Sequence, residues 1–591
     1  MNNDFLPVSQ KDLKKRGWDQ LDIILITGDA YVDHPSYGTA VISRVLEQAG
    51  FKVGIIAQPD WRHTKDFTAL GAPRLFFGIT SGNTDSMIAN YTANKKLRKT
   101  DDYSPGSKPG LRPDRALIVY ANKVREIYDR VPIIIGGMEA SLRRLAHYDY
   151  WDNKVRRSIL LDARANILVY GMGERQVVEI AQRMDKGEKI GTLINIRGTV
   201  VVKKNIDDIS RYLVIPSYEE IKDDKEKFNE AFRNVYSQMN PYTAKPLLQK
   251  HHVQNVIQLP PAEPFSSQEL DRIYELPYQR NWHPRYTAQS GIKGFKTVEF
   301  SLISHRGCCG ECSFCSLHLH QGRIIQSRSA RSLIDEAKSL SERKGFYGVI
   351  TDIGGPTANF WQVDCSLWHK KGFCDDTHCL LPVKCKNLKL GYKESLSLYK
   401  DIRALPKVKH VFIASGFRYD LLTEKYADEY LKEVCTHHIS GQMKVAPEHV
   451  CAHVLAVMNK PELPVFEKFL DRFRTINTRL KKNQFLVNYF ISSHPGSTLP
   501  DALTVSKYLA KTKLASEQIQ DFIPSPLTLS TCIYYTGTHP FTGEKVYVPR
   551  TFHERKMQRA LIQHKNPRTR KLLNEALRQL KGSHQIKNLL Y

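Results

Sequence analysis

From about residue 295 to residue 523, short apolar runs alternate with longer amphipathic segments, and this rhythm constrains the fold more than any other feature. The apolar runs have the length of buried strands, and the amphipathic segments are long enough for helices. Parallel strands need such crossover helices, so the alternation predicts a partial (β/α) barrel. The expected strands are 298–303, 348–352, 410–414, 442–446 and 485–491, and the expected helices are 331–343, 393–404, 424–435 and 464–481.

The first segment of the chain shows a second α/β pattern. The apolar run 21–27 precedes a helical stretch at 38–49, and Gly50 then ends the helix before another apolar run. Two further runs, 131–135 and 166–170, each lead into a loop that contains glycine. This order predicts a parallel, doubly wound, Rossmann-like sheet with a crevice at the carboxyl ends of its strands.

Three cysteines follow the first strand of the expected barrel, where reactive groups of such barrels collect. Cys308, Cys312 and Cys315 have the spacing C-x3-C-x2-C, which lets one loop hold an iron–sulfur cube through three thiolates. A 4Fe-4S cube has four irons, so one iron lacks a protein ligand, and an open position marks a reactive metal site. The alternatives are a zinc site, which normally takes four ligands, and free buried cysteines. The triplet therefore predicts an enzyme.

A second group of cysteines lies between residues 365 and 385, with His369 and His378 interleaved. Thiolates select zinc or iron–sulfur clusters, so this group predicts an auxiliary cluster or a zinc site. The separations of 9, 5 and 6 residues do not match a short zinc finger, and reduced cysteines packed as small apolar residues are the alternative. The group consists of Cys365, Cys374, Cys379 and Cys385, whereas Cys435, Cys451 and Cys532 are scattered and are expected to be structural.

Composition limits the cellular setting and the partners. No apolar stretch is long enough to span a bilayer, and the N-terminus lacks the apolar core of a signal peptide, so we expect a cytoplasmic protein without membrane contact. The net charge of +26 and basic runs such as 95–99 would suit nucleic-acid phosphates. No nucleic-acid reading motif accompanies the charge, and a nucleic-acid partner is therefore not favoured.

Specific blocks of sequence narrow the class. In SHRGCCGECSFCSLHLHQGR, aromatic Phe314 precedes the last cysteine, which matches the radical S-adenosylmethionine (SAM) signature C-x3-C-x-aromatic-C. Together with TGDAYVDHP, GGMEASLRRLAHYDYW, DIGGPTANFW, MKVAPEH and SSHPGST, this block resembles the YgiQ-type family of radical SAM proteins. The resemblance extends from residue 27 to about residue 500. Substrates of that family are undefined, so the resemblance implies radical SAM chemistry but no particular reaction.

The resemblance implies one 4Fe-4S cluster on the three cysteines, with Cys309 as a non-ligand, and SAM on the open iron. An electron from a reducing donor such as flavodoxin or ferredoxin would cleave SAM to methionine and a 5′-deoxyadenosyl radical. Gly354 and Gly355 occupy the place of the glycine loop that receives the SAM amino group, although Pro356 replaces its usual acidic residue. Ser415 and Arg418 suit a ribose hydroxyl and a carboxylate, or else a loop turn and a surface ion pair. Catalytic residues are not assigned.

Polar residues at the next two expected strand ends are further candidates. Glu448 and His449 follow one strand, and His494 follows the next. These residues would converge on one pocket if the barrel forms. Substrate positioning and local turn or capping roles are both open for them.

The N-terminal loops resemble those of the cobalamin-binding-like domain that precedes many radical SAM enzymes. Cobalamin proteins with a histidine ligand use the pattern D-x-H-x-x-G, whereas here Asp33 and His34 are adjacent and Gly38 lies four residues on. We therefore do not expect cobalamin, and we interpret His34 as a hydrogen-bonded loop histidine.

These observations divide the chain into a Rossmann-like, cobalamin-binding-like domain (1–200), a connecting segment (201–292), a radical SAM core (293–530) and a basic C-terminal extension (531–591). They predict a radical SAM enzyme with an unknown substrate. The alternatives are a radical SAM enzyme that modifies RNA, and a non-catalytic iron–sulfur redox protein.

Overall fold

A computed structural model describes residues 4–374, 377–514 and 518–580. The chain divides into two compact units, which are described separately. The first unit comprises the residues up to 299 together with 319–322, and the second comprises 300–318 and the residues from 323 onward.

The first unit is built on a nine-stranded sheet. Five of its strands are parallel to one another. Numbered by their order in the chain, these five lie side by side in the sheet as 2-1-3-4-5. This arrangement is doubly wound, and its crevice lies beside the first strand. The α/β prediction is therefore confirmed. In spatial order the nine strands are Leu213–Ile215, Leu247–His251, Gln254–Gln258, Thr199–Lys203, Ile167–Val169, Ile133–Gly136, Phe76–Thr80, Ile23–Thr27 and Val53–Ala57.

The parallel part of this sheet follows from its apolar runs. All five residues of Ile23–Thr27 are buried, as expected for a strand that is covered on both faces. The helices of this unit are Gln10–Lys15, Gly38–Gln48, Ser86–Asn90, Ala116–Ile127, Met138–Leu142, Ile159–Asp162, Glu174–Asp185, Tyr218–Asp223, Lys225–Ser237, Ser267–Tyr274 and Lys293–Lys296. Two small ribbons join Val32–Asp33 to Asn281–Trp282 and His147–Asp149 to Lys154–Arg156.

The segment 201–292, which the sequence suggests is a connection, contributes strands to one end of this sheet. Strand Thr199–Lys203 pairs antiparallel with both of its neighbours, and Gln254–Gln258 pairs antiparallel with Leu247–His251. Polar residues such as Gln249 and Lys250 interrupt the apolar pattern of these strands, so their signal in the sequence is weak.

The second unit has six parallel strand positions in sequence order. The first, Ser301–Ile303, pairs with Asp352–Gly354, and the adjoining Val349–Ile350 pairs with the third, His410–Val411. The Phe417 N–H donates to the Lys444 carbonyl (2.9 Å), which links the third position to the fourth. The remaining strands, Gln442–Glu448, Phe485–Ser492 and Ile519–Asp521, pair in parallel in that order. Successive parallel neighbours with intervening helices confirm the partial (β/α) barrel.

The longer helices of this unit separate the strands and continue beyond the last one. They are Ala330–Ser341, Tyr392–Arg403, Asp428–Glu433, Leu463–Arg479, Leu499–Thr512, Leu529–Thr536, Phe552–Ile562 and Arg570–Gln579. Short helices are Leu317–Gln321, Trp368–Lys371 and Ala452–Met458, a π-helix covers Val434–His438, and His305–Arg306 pairs with Gln326–Ser327.

The C-terminal extension packs against the barrel through buried apolar residues. Met557, Leu561, Leu573 and Leu577 are buried in one cluster with Phe490 of the fifth strand. These apolar residues recur at helical spacing among basic ones, and that periodicity buries one face of each helix while the charges remain outside. Residues 581–591, the end of the expected extension, lie outside the described part of the chain.

Candidate active site

The three cysteines of the triplet lie on the loop after the first barrel strand. Each is half-buried, and the Cys315 N–H donates to the Cys312 carbonyl (2.9 Å), which folds the loop into a turn. The Ser313 N–H donates to the Met458 carbonyl (3.0 Å), and the Ser530 N–H donates to the Ser313 carbonyl (2.9 Å). The loop is therefore fixed by backbone bonds to two distant helices.

The three thiols lie close enough to influence each other. Burial raises the pKa of Cys308, and the neighbouring Cys312 raises it further. Burial also raises the pKa of Cys315, and both Cys312 and Cys308 add to that shift. Thiolates are the form that binds metal, and a bound cation would favour the ionised form of Cys308 and Cys315.

Arg418 supplies a positive charge beside the triplet. Its Nη1 donates to the Cys312 Sγ (3.6 Å), while Nε and Nη2 donate to the two carboxylate oxygens of Asp420 (2.9 and 2.7 Å). The side chain of Asn359 accepts from the Arg418 N–H (2.9 Å) and donates to its carbonyl (3.1 Å). The structure thus places Arg418 at the cysteines, with half of its guanidinium already bound to Asp420.

Gly354, Gly355 and Ser415 lie together at the ends of the second and third strand positions. A Cβ on Gly354 would be 2.7 Å from the Ser415 Oγ, and a Cβ on Gly355 would be 2.7 Å from the His305 ring. Glycine is therefore required here by close packing. The Ser415 hydroxyl donates to Asp352 Oδ2 (2.5 Å), and the Ala414 N–H donates to Asp352 Oδ1 (2.7 Å).

Glu448 ends the fourth strand in a conformation that is rare for a residue with a side chain. Its φ is +68°, and the strand register shifts between Val445 and Glu448. Burial raises the pKa of Glu448 to about 7, although the charge of Lys460 opposes the shift. Backbone strain and a carboxyl that titrates near neutrality are both common at functional sites.

His449 follows the fourth strand and His494 follows the fifth, and both histidines are already hydrogen-bonded. The Cys451 N–H donates to His449 Nδ1 (3.1 Å), and His449 Nε2 lies 3.4 Å from the Ser497 Oγ. His494 is fully buried, with Nε2 2.6 Å from the Ser530 Oγ and Nδ1 2.8 Å from the Pro495 carbonyl. Its ring packs edge-on against Phe314 of the cysteine motif. These contacts give both histidines a role in fixing loops.

The triplet can be tested for its fit to a four-iron cube. Gly310 lies between the first two cysteines, and a Cβ there would be 3.4 Å from the Cys308 Sγ and 2.9 Å from Arg418 Nη1, so glycine keeps this space clear. Within the described ranges, no three His, Cys, Asp or Glu side chains converge on a single metal ion. The loop supplies three thiols, whereas zinc normally takes four ligands, so this set of donors suits a cluster better than zinc.

The corresponding loops of the first unit are filled by internal ion pairs. Asp29 lies just after the first strand. Arg112 is buried between this carboxylate (2.8 Å) and that of Asp101 (3.1 Å). Gly82, with φ +104°, approaches Asp29 so closely that a Cβ would lie 2.1 Å from Oδ1. Asp33 pairs with buried Arg44, and His34 Nδ1 accepts from the Ser36 N–H (3.1 Å). The expected loop role of His34 agrees with this contact.

Sequence reasoning missed Asp352, Thr357, Asn359 and Asp420, all of which lie at the site. Thr357 Oγ1 is 3.9 Å from the Cys308 Sγ. The signal for Asp352 was its position, because it is a carboxylate two residues before the glycine pair at a strand end. Asn359 carries no such signal, since its side chain bonds the backbone of Arg418, which lies 59 residues away. Asp420 lies only two residues from Arg418, but no motif marks this pair.

Comparisons with known proteins define the class. Residues 5–301 match the family described as Radical SAM N-terminal, and residues 517–587 match a domain of unknown function, DUF3362. Together with the α/β fold, this match makes the protein a radical SAM enzyme whose reaction is unknown. No helix among the described residues is long and apolar enough to cross a membrane.

The chain belongs to the UPF0313 family. The UPF0313 protein of Clostridium botulinum strain 657 is 52% identical over 98% of this chain and 90% of the relative. The UPF0313 protein of Methanocella arvoryzae is 50% identical over 96% of this chain and 94% of the relative. A solved structure of the radical SAM methyltransferase TsrM from Kitasatospora setae, with tryptophan and aza-SAM bound, is similar at 14% identity and a TM-score of 0.49, and the match covers 86% of this chain and 75% of that chain.

Proposed function

We propose that the protein binds a 4Fe-4S cluster through Cys308, Cys312 and Cys315 and reductively cleaves SAM to start radical chemistry on a substrate still to be found. The observation that carries this proposal is that three half-buried thiols share one loop, that backbone bonds fix this loop, and that the Arg418 guanidinium donates to the Cys312 thiol. When bound, the cluster supplies the electron, received from a low-potential donor such as flavodoxin or ferredoxin, that splits SAM into methionine and a 5′-deoxyadenosyl radical.

The residues of the chain have separate tasks in this proposal. Arg418 offsets the negative charge of the thiolates, since its Nη1 reaches Cys312 while Asp420 fixes its orientation. The Gly354 carbonyl already accepts from the Ser304 N–H (2.7 Å) and hydroxyl (3.0 Å), so we assign the backbone contact with SAM to Gly355, which has no side chain of its own. Asp352 orients the Ser415 hydroxyl, which we assign to a polar group of SAM.

The test is cleavage of SAM by the full-length protein. The protein is reconstituted anaerobically with iron and sulfide, reduced with dithionite, and assayed by chromatography for 5′-deoxyadenosine. We expect the product from the wild type and from a Cys451→Ser control, because Cys451 lies outside the triplet. We expect none from Cys312→Ala. A wild-type protein with an intact cluster that never forms 5′-deoxyadenosine would overturn the proposal and favour a non-catalytic redox role.

We further infer that the first unit does not hold cobalamin. Buried ion pairs occupy the loops after its first strands, and Arg112 and Arg44 are committed to carboxylates there. The check is gel filtration after incubation with hydroxocobalamin, followed by an absorption spectrum of the protein peak. Co-elution of one cobalamin per chain would contradict the inference, whereas separation of the two supports it.

A further inference from the structure

A short β-hairpin lies within the C-terminal extension of the second unit. We call its residues, 537–547, the C-terminal hairpin. Thr538 and Lys545 pair across it in an antiparallel bridge. Nearer the tip, the His539 N–H donates to the Glu544 carbonyl (2.8 Å). These backbone contacts give an otherwise irregular segment a fixed shape.

The C-terminal hairpin is joined to the barrel at the carboxyl ends of its strands. The Gly496 N–H donates to the Tyr547 carbonyl (2.7 Å), and Gly496 lies in the loop after the fifth strand. In the helix that follows the hairpin, the Gln558 side chain donates to the Ser497 carbonyl (2.8 Å) and accepts from the Ser497 hydroxyl (3.1 Å). Reactive groups of such barrels collect at this end. The hairpin therefore borders the same end of the barrel as the candidate active site.

Three aromatic side chains of this region are exposed. Phe541, Tyr547 and Phe552 have 48%, 47% and 40% of their surface exposed, although large aromatic side chains are mostly buried in folded proteins. The Phe541 ring lies 6.0 Å from the His539 ring, and the Tyr547 hydroxyl donates to Glu554 in the first turn of the following helix. These contacts orient Phe541 and Tyr547 without covering them.

Basic side chains are concentrated after the hairpin. Residues 555–574 contain seven lysines and arginines but no aspartate or glutamate. Two of the seven serve the fold, since Arg555 donates to the Phe522 carbonyl and Arg559 pairs with Asp521 (2.9 Å). We call residues 565–571 the basic turn, and their charges suit phosphate groups. The exposed basic residues of this turn are Lys565, Arg568, Arg570 and Lys571.

The helix Phe552–Ile562 separates the exposed rings from the basic turn. Its 11 residues span about 16 Å, at 1.5 Å per residue. Just after it, His564 Nδ1 lies 3.0 Å from the Ser506 Oγ of the helix Leu499–Thr512, which follows the fifth strand. The basic turn therefore lies on the flank of the barrel, about one helix length from the rings. A long polyanion can contact both features at once, whereas a small anion cannot.

We propose that the C-terminal hairpin and the basic turn bind single-stranded RNA. Unpaired bases stack on exposed aromatic rings, whereas the bases of a duplex are hidden, and basic side chains neutralise the phosphates. The Glu544 carboxylate, 3.2 Å from the Thr542 hydroxyl, lies on the hairpin where it can accept from a ribose 2′-hydroxyl, which DNA lacks. The charge alone does not favour a nucleic-acid partner, but exposed rings on the same extension change that conclusion.

The test measures RNA binding by the full-length, anaerobically reconstituted protein without SAM. Fluorescence anisotropy follows a labelled single-stranded RNA of mixed sequence, about 12 nucleotides long. The wild type should bind it, and Phe541→Ala/Tyr547→Ala should weaken binding at least about tenfold because two stacking faces are lost. Tyr547→Phe keeps the ring and should bind like the wild type. Tyr347→Ala is the matched control, because Tyr347 is 85% exposed but precedes the second strand, at the opposite end of the barrel.

A second variant tests the basic turn through salt dependence. Lys565→Gln/Arg568→Gln/Lys571→Gln should reduce the slope of log affinity against log salt concentration by about two, since each phosphate contact contributes about 0.7. Lys338→Gln/Lys344→Gln/Lys400→Gln removes the same charge from exposed positions elsewhere in the unit and should leave the slope unchanged. Equal changes in both variants would reduce the effect to net charge and overturn the proposal.

Three further results would also overturn it. They are a wild type that does not bind the RNA, equal affinity for DNA of the same sequence or for duplex RNA, and wild-type binding by Phe541→Ala/Tyr547→Ala. Tighter binding to phosphatidylglycerol vesicles, lost in the same variants, would assign the surface to a membrane instead. RNA binding goes beyond the proposed function, because it does not require cleavage of SAM. Either one can therefore fail while the other stands.

Discussion

Both units place polar loops at the carboxyl ends of parallel strands, but the loops differ in what their charges contact. In the first unit, Arg112 and Arg44 are buried against aspartates of the same unit. In the second unit, one guanidinium nitrogen of Arg418 donates to the half-buried Cys312 thiol. Arg418 is also paired, through two nitrogens with Asp420, but its third nitrogen reaches a thiol, and the fold alone does not decide this difference.

The largest expected contrast is in catalysis. Cys315→Ala should lower the rate of 5′-deoxyadenosine formation by at least about a thousandfold, since removal of a cluster ligand removes the chemistry that the cofactor supplies. Asp29→Asn, at the end of the first strand of the other unit, should leave the rate per folded molecule unchanged. The measurement is 5′-deoxyadenosine formed per folded chain, and a large loss in Asp29→Asn would contradict the comparison.

The second contrast is in stability. Arg44→Met should lower the free energy of unfolding by about 3–5 kcal/mol, because it leaves the buried Asp33 carboxylate without its partner. Denaturant unfolding, followed by circular dichroism, measures the loss. The double variant Asp33→Asn/Arg44→Met should recover part of it. If Arg44→Met unfolds like the wild type, the pair is not holding the loop.

A third contrast depends on pH. Burial, aided by the charge of Arg143, lowers the pKa of His147 to about 4 in the first unit, whereas an unfolded histidine titrates near 6.5. The unfolded chain therefore takes up a proton first as pH falls, and stability present above pH 6.5 is lost progressively down to about pH 4. The loss is about 1.4 kcal/mol per pH unit across that window.

His147→Gln should flatten this acid limb without altering SAM cleavage at neutral pH. Asp149 and Arg156 also face His147, and the variant keeps both. Unfolding at pH 4.5, 5.5, 6.5 and 7.5 measures the slope. An unchanged slope in His147→Gln would assign acid sensitivity to other buried histidines.

The smallest expected effect concerns SAM binding. Ser415→Ala removes one hydroxyl, but Asp352 keeps the Ala414 and Ser415 N–H groups as donors, so the loop retains its shape. Loss of one hydrogen bond to the ligand should weaken SAM binding roughly three- to tenfold, about 1 kcal/mol. Equilibrium dialysis with SAM measures it, with Ser415→Thr as the conservative control. Equal affinity in Ser415→Ala would exclude the hydroxyl from the SAM site.

Much of the barrel could be predicted because its strands are continuous apolar runs. The runs at 442–446 and 485–491 correspond to Gln442–Glu448 and Phe485–Ser492. The strand Leu247–His251 was missed, because it lies in the antiparallel part of its sheet and carries polar residues. The packing of the C-terminal helices could not be predicted either. The many basic residues lower the mean hydropathy of the segment and so hide the narrow apolar face of each helix.

The residues of the candidate site could be predicted only where they belong to a sequence motif with a fixed spacing. The triplet has a spacing that chemistry constrains, whereas Asp352 and Asn359 matter through partners 62 and 59 residues away. Such pairings depend on the order of the barrel strands, which no local pattern contains. The same limit applies to Arg44, whose burial against Asp33 follows from the first strand's loop and not from helix periodicity.

The hydrogen bond from Ser530 to Ser313 has a consequence for biosynthesis. The triplet loop appears early in the unit, but this bond cannot form until the chain has been made past residue 530. At typical rates of synthesis, the three thiols wait roughly ten to forty seconds on an unfinished loop. Cluster delivery that follows synthesis of the helix Leu529–Thr536 would meet a loop that this bond can already fix, whereas earlier delivery would have to act on the nascent chain.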